Sequence, residues 1–223
     1  MNKSIIDQAL TNLTKQRPVF CSEADFQFAF SEVLRVYLPN AKIRLERPFP
    51  VGKGKYYHVD LWVEDEGKIY PIELKYKTKK CNIIFDDGPF LLKDQSAEDL
   101  GRYDYIADIK RIENIKVLRP ETFGEGYAIM LTNDASYYDP QRQHHKPTID
   151  SDFRIYDGVN LTGLLRWKPT PNSKIPVEEG DRGSRKAITL SGNYPIKWTM
   201  YREVPDNKGK TFEIKQCVTI IKR

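Results

Sequence analysis

Cysteine, histidine and long apolar runs are scarce in this sequence. Three cysteines and three histidines occur among 223 residues. Cys21, Cys81 and Cys217 lie far apart, without the close pairs that zinc sites and disulfide frameworks use, so we predict reduced thiols. No window approaches the run of about 18 apolar residues that a membrane helix requires, and the N-terminal segment alternates polar and apolar residues, unlike a signal peptide. These absences predict a cytoplasmic protein.

Sequence motifs for nucleotide binding and acyl transfer are missing as well. No G-x-S-x-G, Walker A or dinucleotide fingerprint occurs. The neighbouring residues His144 and His145 point apart in a regular backbone, so we do not predict a metal shared between them. The composition, 39% hydrophobic and 12% aromatic residues, is nevertheless typical of a folded chain.

The positive charge is concentrated in the C-terminal part of the chain. Residues 1–140 carry 20 Lys and Arg against 22 Asp and Glu, whereas residues 141–223 carry 16 against 9. A basic lobe beside an acidic one suits an anionic polymer as partner. Generic surface charge explains the same excess equally well.

The spacing of apolar residues predicts a mixed α/β unit in the first 135 residues. A helix N-cap is predicted at Ser22 and another at Ser96. The order is helix, helix, three strands, helix and strand, which places this unit in the α/β class. The predicted helices cover residues 4–15, 22–37 and the segment after Ser96, and the strands cover 41–48, both arms of a hairpin within 58–80, and 127–131.

The remaining residues, 136–223, form a β-rich basic region. This region either extends the first sheet or forms a small subdomain, and the pattern does not decide between the two. Residues 168–184, rich in proline, glycine and charge, are predicted to form an exposed loop. The predicted strand runs are 153–156, 161–167, 187–190, 194–201 and 212–221.

The hairpin within residues 58–80 carries charged residues in an otherwise apolar segment. With a turn centred on Glu66-Gly67, opposed residues have numbers that sum to 133. This register opposes Asp60 to Glu73, and His58 to Lys75, on one face. On the other face it opposes Val59, Leu61 and Val63 to Leu74, Ile72 and Tyr70.

The opposed carboxylates of Asp60 and Glu73 suggest a metal site. Like charges held side by side across a sheet repel each other, and a divalent cation such as Mg²⁺ would compensate them. Lys75 projects from the same face, and an ammonium beside a metal suits phosphodiester hydrolysis. The alternative is a solvated hairpin face on which Lys75 neutralises both acids. The short D-x12-E-x-K pattern does not decide between them.

Two flanking features favour the metal site. Glu23 lies in the first turn of the second predicted helix and can point toward the polar end of the sheet. The basic run over residues 76–80 follows the hairpin directly, where phosphate contacts would be useful. A solvated strand end explains that run equally well.

The order of these residues resembles the PD-(D/E)xK nuclease superfamily. Helix-borne Glu23, then Asp60, then Ile72-Glu73-Leu74-Lys75 match its helix acid, its motif aspartate and its (E/D)-x-K triplet, over about residues 20–131. The resemblance implies a restriction-endonuclease-like αβββαβ core over residues 1–135. It further implies metal ligation by Asp60, Glu73, Glu23 and the Leu74 backbone carbonyl. His58-Val59-Asp60 departs from the Pro-Asp of the family name.

The resemblance implies a Mg²⁺- or Mn²⁺-dependent nuclease that hydrolyses phosphodiester bonds in DNA, in prokaryotic defence, mobile-element or repair processes. Catalysis would fall to Asp60, Glu73, Lys75 and Glu23, and a homodimer or partner subunit would suit cutting of both strands. Gln95, Arg102 and Tyr105 lie where relatives place auxiliary polar residues. The alternative is a non-catalytic nucleic-acid- or protein-binding module that retains the fold.

Overall fold

The computed structural model describes residues 1–85, 88–143, 147–170, 177, 180–205, 209 and 211–223. Its helices are α1 (Lys3–Gln16), α2 (Glu23–Tyr37), α3 (Glu98–Leu118) and α4 (Ala135–Tyr138), with short 3-10 turns at Pro140–Arg142 and Ser151–Phe153. Its strands are β1 (Lys42–Gly52), β2 (Lys55–Asp65), β3 (Lys68–Lys77), β4 (Cys81–Phe85), β5 (Gly88–Leu92), β6 (Glu125–Thr132), β7 (Asn160–Leu165), β8 (Ile188–Pro195), β9 (Trp198–Pro205) and β10 (Thr211–Lys222). The predicted α/β class is confirmed.

Strands from both ends of the chain share one mixed sheet. Within the described ranges its order is β1-β2-β3-β6-β10-β9. β3 and β6 are parallel, and the other neighbours are antiparallel. Because β10 pairs with β6 from Lys215 to Lys222, the C-terminal strands continue the sheet that carries the hairpin. β4 with β5, and β7 with β8, form separate two-stranded ladders.

The sheet separates two apolar clusters. One cluster joins α1 and α2 to residues such as Leu61 and Ile72. The other joins α3 to residues such as Trp62 and Met130. Charged side chains between α3 and the sheet are therefore enclosed by apolar packing, which makes each of them costly unless it is paired. Among the described helices, none is both long enough and apolar enough to cross a bilayer.

Local signals determine α1, α2 and the hairpin turn. The Ser22 side chain accepts a hydrogen bond from the Asp25 backbone N–H at 3.1 Å, as the capping signal predicts. Glu66 and Gly67 have φ of 48° and 72°, the combination that a two-residue I′ hairpin turn requires. The pairs from Asp65 with Lys68 to Leu61 with Ile72 follow the predicted register.

Three predicted elements were wrong. α3 begins at Glu98, after Ala97 in the left-handed region at φ 69°, so Ser96 is not its N-cap. Residues 153–156 end a 3-10 turn rather than form a strand; Phe153 and Ile155 are buried by tertiary packing, which gave the segment its apolar pattern. The run 194–201 is divided between β8 and β9.

Some predictions concern residues outside the described ranges. His144 and His145 lie outside them. Residues 171–176 and 178–179 of the predicted loop are likewise outside.

Candidate active site

The hairpin ladder ends where the charged residues begin. The last pair of β2 and β3 is Leu61 with Ile72, one position before Asp60 and Glu73. The Asp60 Oδ2 atom accepts a hydrogen bond from the Leu74 backbone N–H at 2.6 Å. The Asp60 carboxylate therefore takes the place of a backbone carbonyl, and a side chain links β2 to β3 at this point. The prediction that Asp60 and Glu73 are directly opposed was wrong, because the backbone ladder ends at Leu61 and Ile72.

The β1 side of Asp60 is irregular too. Glu46, on β1, has a φ of 49°, in the left-handed region that non-glycine residues seldom adopt. The Gln27 side-chain amide, on α2, donates to Glu46 Oε1 at 2.9 Å and to the Asp60 backbone carbonyl at 2.7 Å. An observed backbone outlier held by a buried amide is the kind of local strain that clusters at functional sites.

This irregularity moves Val59 to the other face of the sheet. Leu61 packs in the cluster of α1 and α2, whereas Val59 packs in the cluster of α3. The prediction that Val59 shares a face with Leu61 was therefore wrong. Strict alternation of side chains fails because the pleat is interrupted at Asp60.

Glu23 connects the start of α2 to the end of β3. Its Oε2 atom accepts from the Tyr76 backbone N–H at 2.9 Å, and its Oε1 atom lies 3.9 Å from Lys75 Nζ. The first turn of α2 thus places this acid at the polar end of the sheet.

Lys75 is held in place by acids and by a carbonyl. Its Nζ atom lies 2.8 Å from Asp108 Oδ2 and donates to the Leu74 carbonyl at 3.1 Å. The side chain is 14% exposed. Although burial opposes its charge, the carboxylates of Asp108, Glu23 and Asp60 raise the pKa of Lys75, so the ammonium persists through neutral pH.

α3 supplies two charged residues that sequence patterns did not reveal. The Nη1 atom of Arg111 donates a hydrogen bond to Glu73 Oε1 at 2.9 Å, and its Nη2 atom lies 3.3 Å from Asp108 Oδ1. Asp108 and Arg111 are three residues apart, on the side of α3 that meets the sheet. The available signal was a charged residue one turn after buried Tyr105, within an otherwise apolar helix stripe.

The auxiliary residues suggested by the family resemblance lie elsewhere. Arg102 pairs with Asp150 at 2.6 Å. Tyr105 is buried and donates to the Ala128 carbonyl at 3.1 Å. The Gln95 backbone N–H donates to the Thr78 carbonyl.

Burial excludes the solvated hairpin face. Glu73 and Asp108 are each 1% exposed. The Glu73 Oε2 atom is buried without a hydrogen-bond partner among the described residues. Buried charges that lack full pairing cost several kcal/mol, so this cluster is not an ordinary surface salt-bridge network.

Three of these acids, Asp60, Glu73 and Asp108, have pKa values raised above the ordinary range. Burial raises the pKa of Asp60 to about 6, against the opposing effects of Lys75 and the Leu74 N–H. Burial and the negative charge of Asp108 raise the pKa of Glu73 well above its usual range, although Arg111 opposes this. Burial also raises the pKa of Asp108. Raised carboxyl pKa values grouped at one point are typical of functional sites.

The donor set suits a hard divalent cation. We call Glu23, Asp60, Glu73, Asp108, Lys75 and Arg111 the charged cluster. Its four acids outnumber its two cations, and the Glu73 Oε2 atom lacks a partner in the described part of the chain, so a cation would relieve both deficits. As the side chains stand, no group of three or more His, Cys, Asp or Glu residues in the described ranges is placed to hold a metal. The residues fit Mg²⁺ by charge and chemistry.

His58 was predicted to lie opposite Lys75, and Lys79 belongs to the run predicted to contact phosphate; both have other neighbours in the structure. His58 is exposed and lies opposite Pro48 across the β1–β2 ladder. Lys79, in the basic run over 76–80, lies 2.8 Å from Glu98 Oε1 and 3.5 Å from Asp134 Oδ2, so acids already neutralise it.

Aromatic side chains of the C-terminal region are mostly core residues. Tyr137, Trp167, Trp198 and Tyr201 are all buried. A scan against protein-family models, a search of curated proteins and a search of solved structures each returned no match to this chain.

Proposed function

We propose that this chain is a Mg²⁺- or Mn²⁺-dependent nuclease that hydrolyses phosphodiester bonds in DNA. The observation that carries the proposal is the charged cluster, in which four acids, two of them buried, outnumber two cations at the point where β2 and β3 separate. Such a cluster costs stability, because replacing buried charges with apolar residues often stabilises a fold, and its presence therefore favours a functional role.

The element order supports a restriction-endonuclease-like core. An acid on α2, an aspartate on β2 and a Glu-x-Lys triplet on β3 are followed by α3 and by β6, which runs parallel to β3. This is the αβββαβ order that the resemblance implies for residues 1–135. The β4–β5 ladder is an addition between β3 and α3.

The site residues have distinct proposed roles. Asp60, Glu73 and the Leu74 carbonyl would hold the divalent ion, with Glu23 assisting directly or through water. When bound, the ion would neutralise charge on the phosphate and make water a better nucleophile. Lys75, already oriented by Asp108 and the Leu74 carbonyl, holds a positive charge beside the attacking water and stabilises negative charge as it builds on the phosphate.

DNA is the proposed substrate because the C-terminal region is basic. The excess of 16 Lys and Arg over 9 Asp and Glu in residues 141–223 would attract a phosphate backbone, while the acids stay near the metal. We propose prokaryotic defence, mobile-element or repair processes as the setting. A homodimer or partner subunit would allow both strands to be cut.

Cleavage assays with a matched pair of lysine variants test this function. Purified protein is incubated with linear, branched, single-stranded and modified DNA, and with RNA, in Mg²⁺, Mn²⁺ or EDTA. We expect metal-dependent cleavage that falls about 100-fold or more in Lys75→Ala, since removing one preorganised charge partner costs at least that much. Lys68→Ala, at the opposite end of β3, is expected to cleave normally. Absence of cleavage on every substrate, or full activity in Lys75→Ala, would contradict the proposal.

A second candidate is a non-catalytic nucleic-acid- or protein-binding module with the same fold. It is favoured by the internal pairing of Lys75 with Asp108 and of Arg111 with Glu73, which leaves no preformed metal group in the described residues. Calorimetric titration with Mn²⁺ separates the two candidates. Binding that disappears in Asp60→Ala supports the nuclease, whereas absence of binding supports the module.

A further inference from the structure

We propose that Arg111 is a resident counter-cation that a divalent ion must displace from Glu73, so that Arg111 sets the metal concentration at which the site fills. This inference rests on the proposed function, because it concerns the metal site of that function. It assigns a positioning role to a residue of α3 that lies outside the Asp60, Glu73 and Lys75 pattern.

Arg111 occupies the position from which a cation neutralises two buried acids. Its guanidinium bridges Glu73 Oε1 at 2.9 Å and Asp108 Oδ1 at 3.3 Å. The Glu73 side chain is fully buried, whereas 29% of the Arg111 side chain is exposed. The acid is therefore fixed inside, and the cation reaches it from the rim, where it can withdraw.

Arg111 donates to one of the two carboxylate oxygens of Glu73. Glu73 Oε1 accepts a hydrogen bond from Arg111, while Oε2 is buried without a partner among the residues that the structure describes. An ionised carboxylate ordinarily accepts several hydrogen bonds or binds a metal. A divalent ion would satisfy both oxygens better than one guanidinium does, but its charge would repel Arg111 at this distance.

Arg111 has other contacts that remain available after it leaves Glu73. Its Nη2 atom lies near Asp108, on the same helix. Its guanidinium carbon also lies 5.6 Å from the ring centroid of Tyr57, within cation–π range. Displacement from Glu73 therefore costs one ion pair rather than leaving the guanidinium buried and unpaired.

The charge balance gives the sign of the effect. With all groups ionised, four acids and two cations leave the charged cluster with a surplus of two negative charges, and removing Arg111 raises that surplus to three. Both the greater negative charge and the loss of a competitor favour divalent binding. A residue that merely supported the fold would weaken metal binding when removed.

Calorimetric titration of Mn²⁺ into three forms of the full chain tests this inference. We expect the Kd of Arg111→Gln to be about ten-fold lower than that of the wild type. Arg35→Gln is the matched control, because Arg35 is also a helical arginine with an acid three residues away, Glu32, but both are exposed. Its Kd is expected to stay within about two-fold of the wild type.

Arg111→Lys covers the case in which Arg111→Gln does not fold. A single ammonium keeps the charge but cannot bridge both acids as a planar guanidinium does, so we expect about three-fold tighter Mn²⁺ binding. Unchanged or weaker binding in the folded variants would overturn the inference while leaving the metal site intact. Absence of binding in the wild type and in every variant would overturn the proposed function as well.

Discussion

Two buried glutamates, Glu73 on β3 and Glu113 on α3, have pKa values that are shifted in opposite directions. Glu113, on α3, is 3% exposed. Its Oε1 atom accepts hydrogen bonds from the Ser191 N–H, the Gly192 N–H and the Tyr194 hydroxyl, each at 2.8 Å, and its Oε2 atom accepts from Lys110. Although burial opposes ionisation, these donors lower the pKa of Glu113.

Glu73 is similarly buried, but within the described ranges it has one hydrogen-bond partner, Arg111, and an unpaired oxygen. Burial and neighbouring acids raise its pKa. The comparison shows that burial alone does not determine the pKa of a carboxylate; the hydrogen-bond donors and the charges beside it also contribute. Glu113 anchors β8 to α3, whereas Glu73 keeps an acceptor oxygen that no described residue satisfies.

The largest expected change in stability comes from removing Glu113, whose carboxylate accepts hydrogen bonds from Ser191, Gly192, Tyr194 and Lys110. Glu113→Ala leaves two backbone N–H groups and the Tyr194 hydroxyl without their acceptor, each costing about 1–3 kcal/mol, so we expect a loss of about 4 kcal/mol. Glu113→Gln keeps an acceptor oxygen and should lose about 1 kcal/mol. Urea unfolding measures both values.

The exposed residue Glu121 provides the control for this change. Glu121→Ala is expected to alter the free energy of unfolding by less than about 0.5 kcal/mol. Equal losses in Glu113→Ala and Glu121→Ala would show that the Glu113 network is not structural.

A smaller, pH-dependent change is expected at Asp60. Its pKa of about 6 lies above its ordinary value of 3.8, so the folded state binds more protons than the unfolded state between these values. Stability is therefore lost as the pH rises through about 6, and a neutral Asn avoids this loss. Without metal at pH 7.5, we expect Asp60→Asn to be about 2 kcal/mol more stable than the wild type.

Unfolding free energies of the wild type and Asp60→Asn in EDTA, at pH 4 and pH 7.5, measure this effect. The advantage of Asp60→Asn should shrink toward zero near pH 4, where the Asp60 carboxyl is protonated in the folded wild type. A constant difference, or a variant less stable at pH 7.5, would contradict the raised pKa.

Elements with local causes could be predicted from the sequence. The Ser22 cap, the Glu66-Gly67 turn and the register next to it depend on neighbouring residues, so their patterns were sufficient. The Val59 face and the Asp60–Glu73 pairing were wrong because the register was extended past Leu61. There a tertiary contact from Gln27, on α2, reaches the Asp60 carbonyl.

The cations and acids of the site were only partly predictable. Glu23, Asp60, Glu73 and Lys75 carry a motif spacing, but the spacing does not show that Glu73 is buried. Asp108 and Arg111 become partners of the motif only through packing of α3 on the sheet, which brings residues 38 positions apart, Glu73 and Arg111, into contact.

Calorimetric titration of Mn²⁺ at pH 7.5 into the wild type, Glu73→Gln and Glu113→Gln is the most direct test. It shows whether Glu73 belongs to a metal site and Glu113 does not. We predict saturable binding in the wild type and in Glu113→Gln, and affinity at least about ten-fold weaker in Glu73→Gln. Absence of binding in the wild type, or equal affinity in all three forms, would contradict the account.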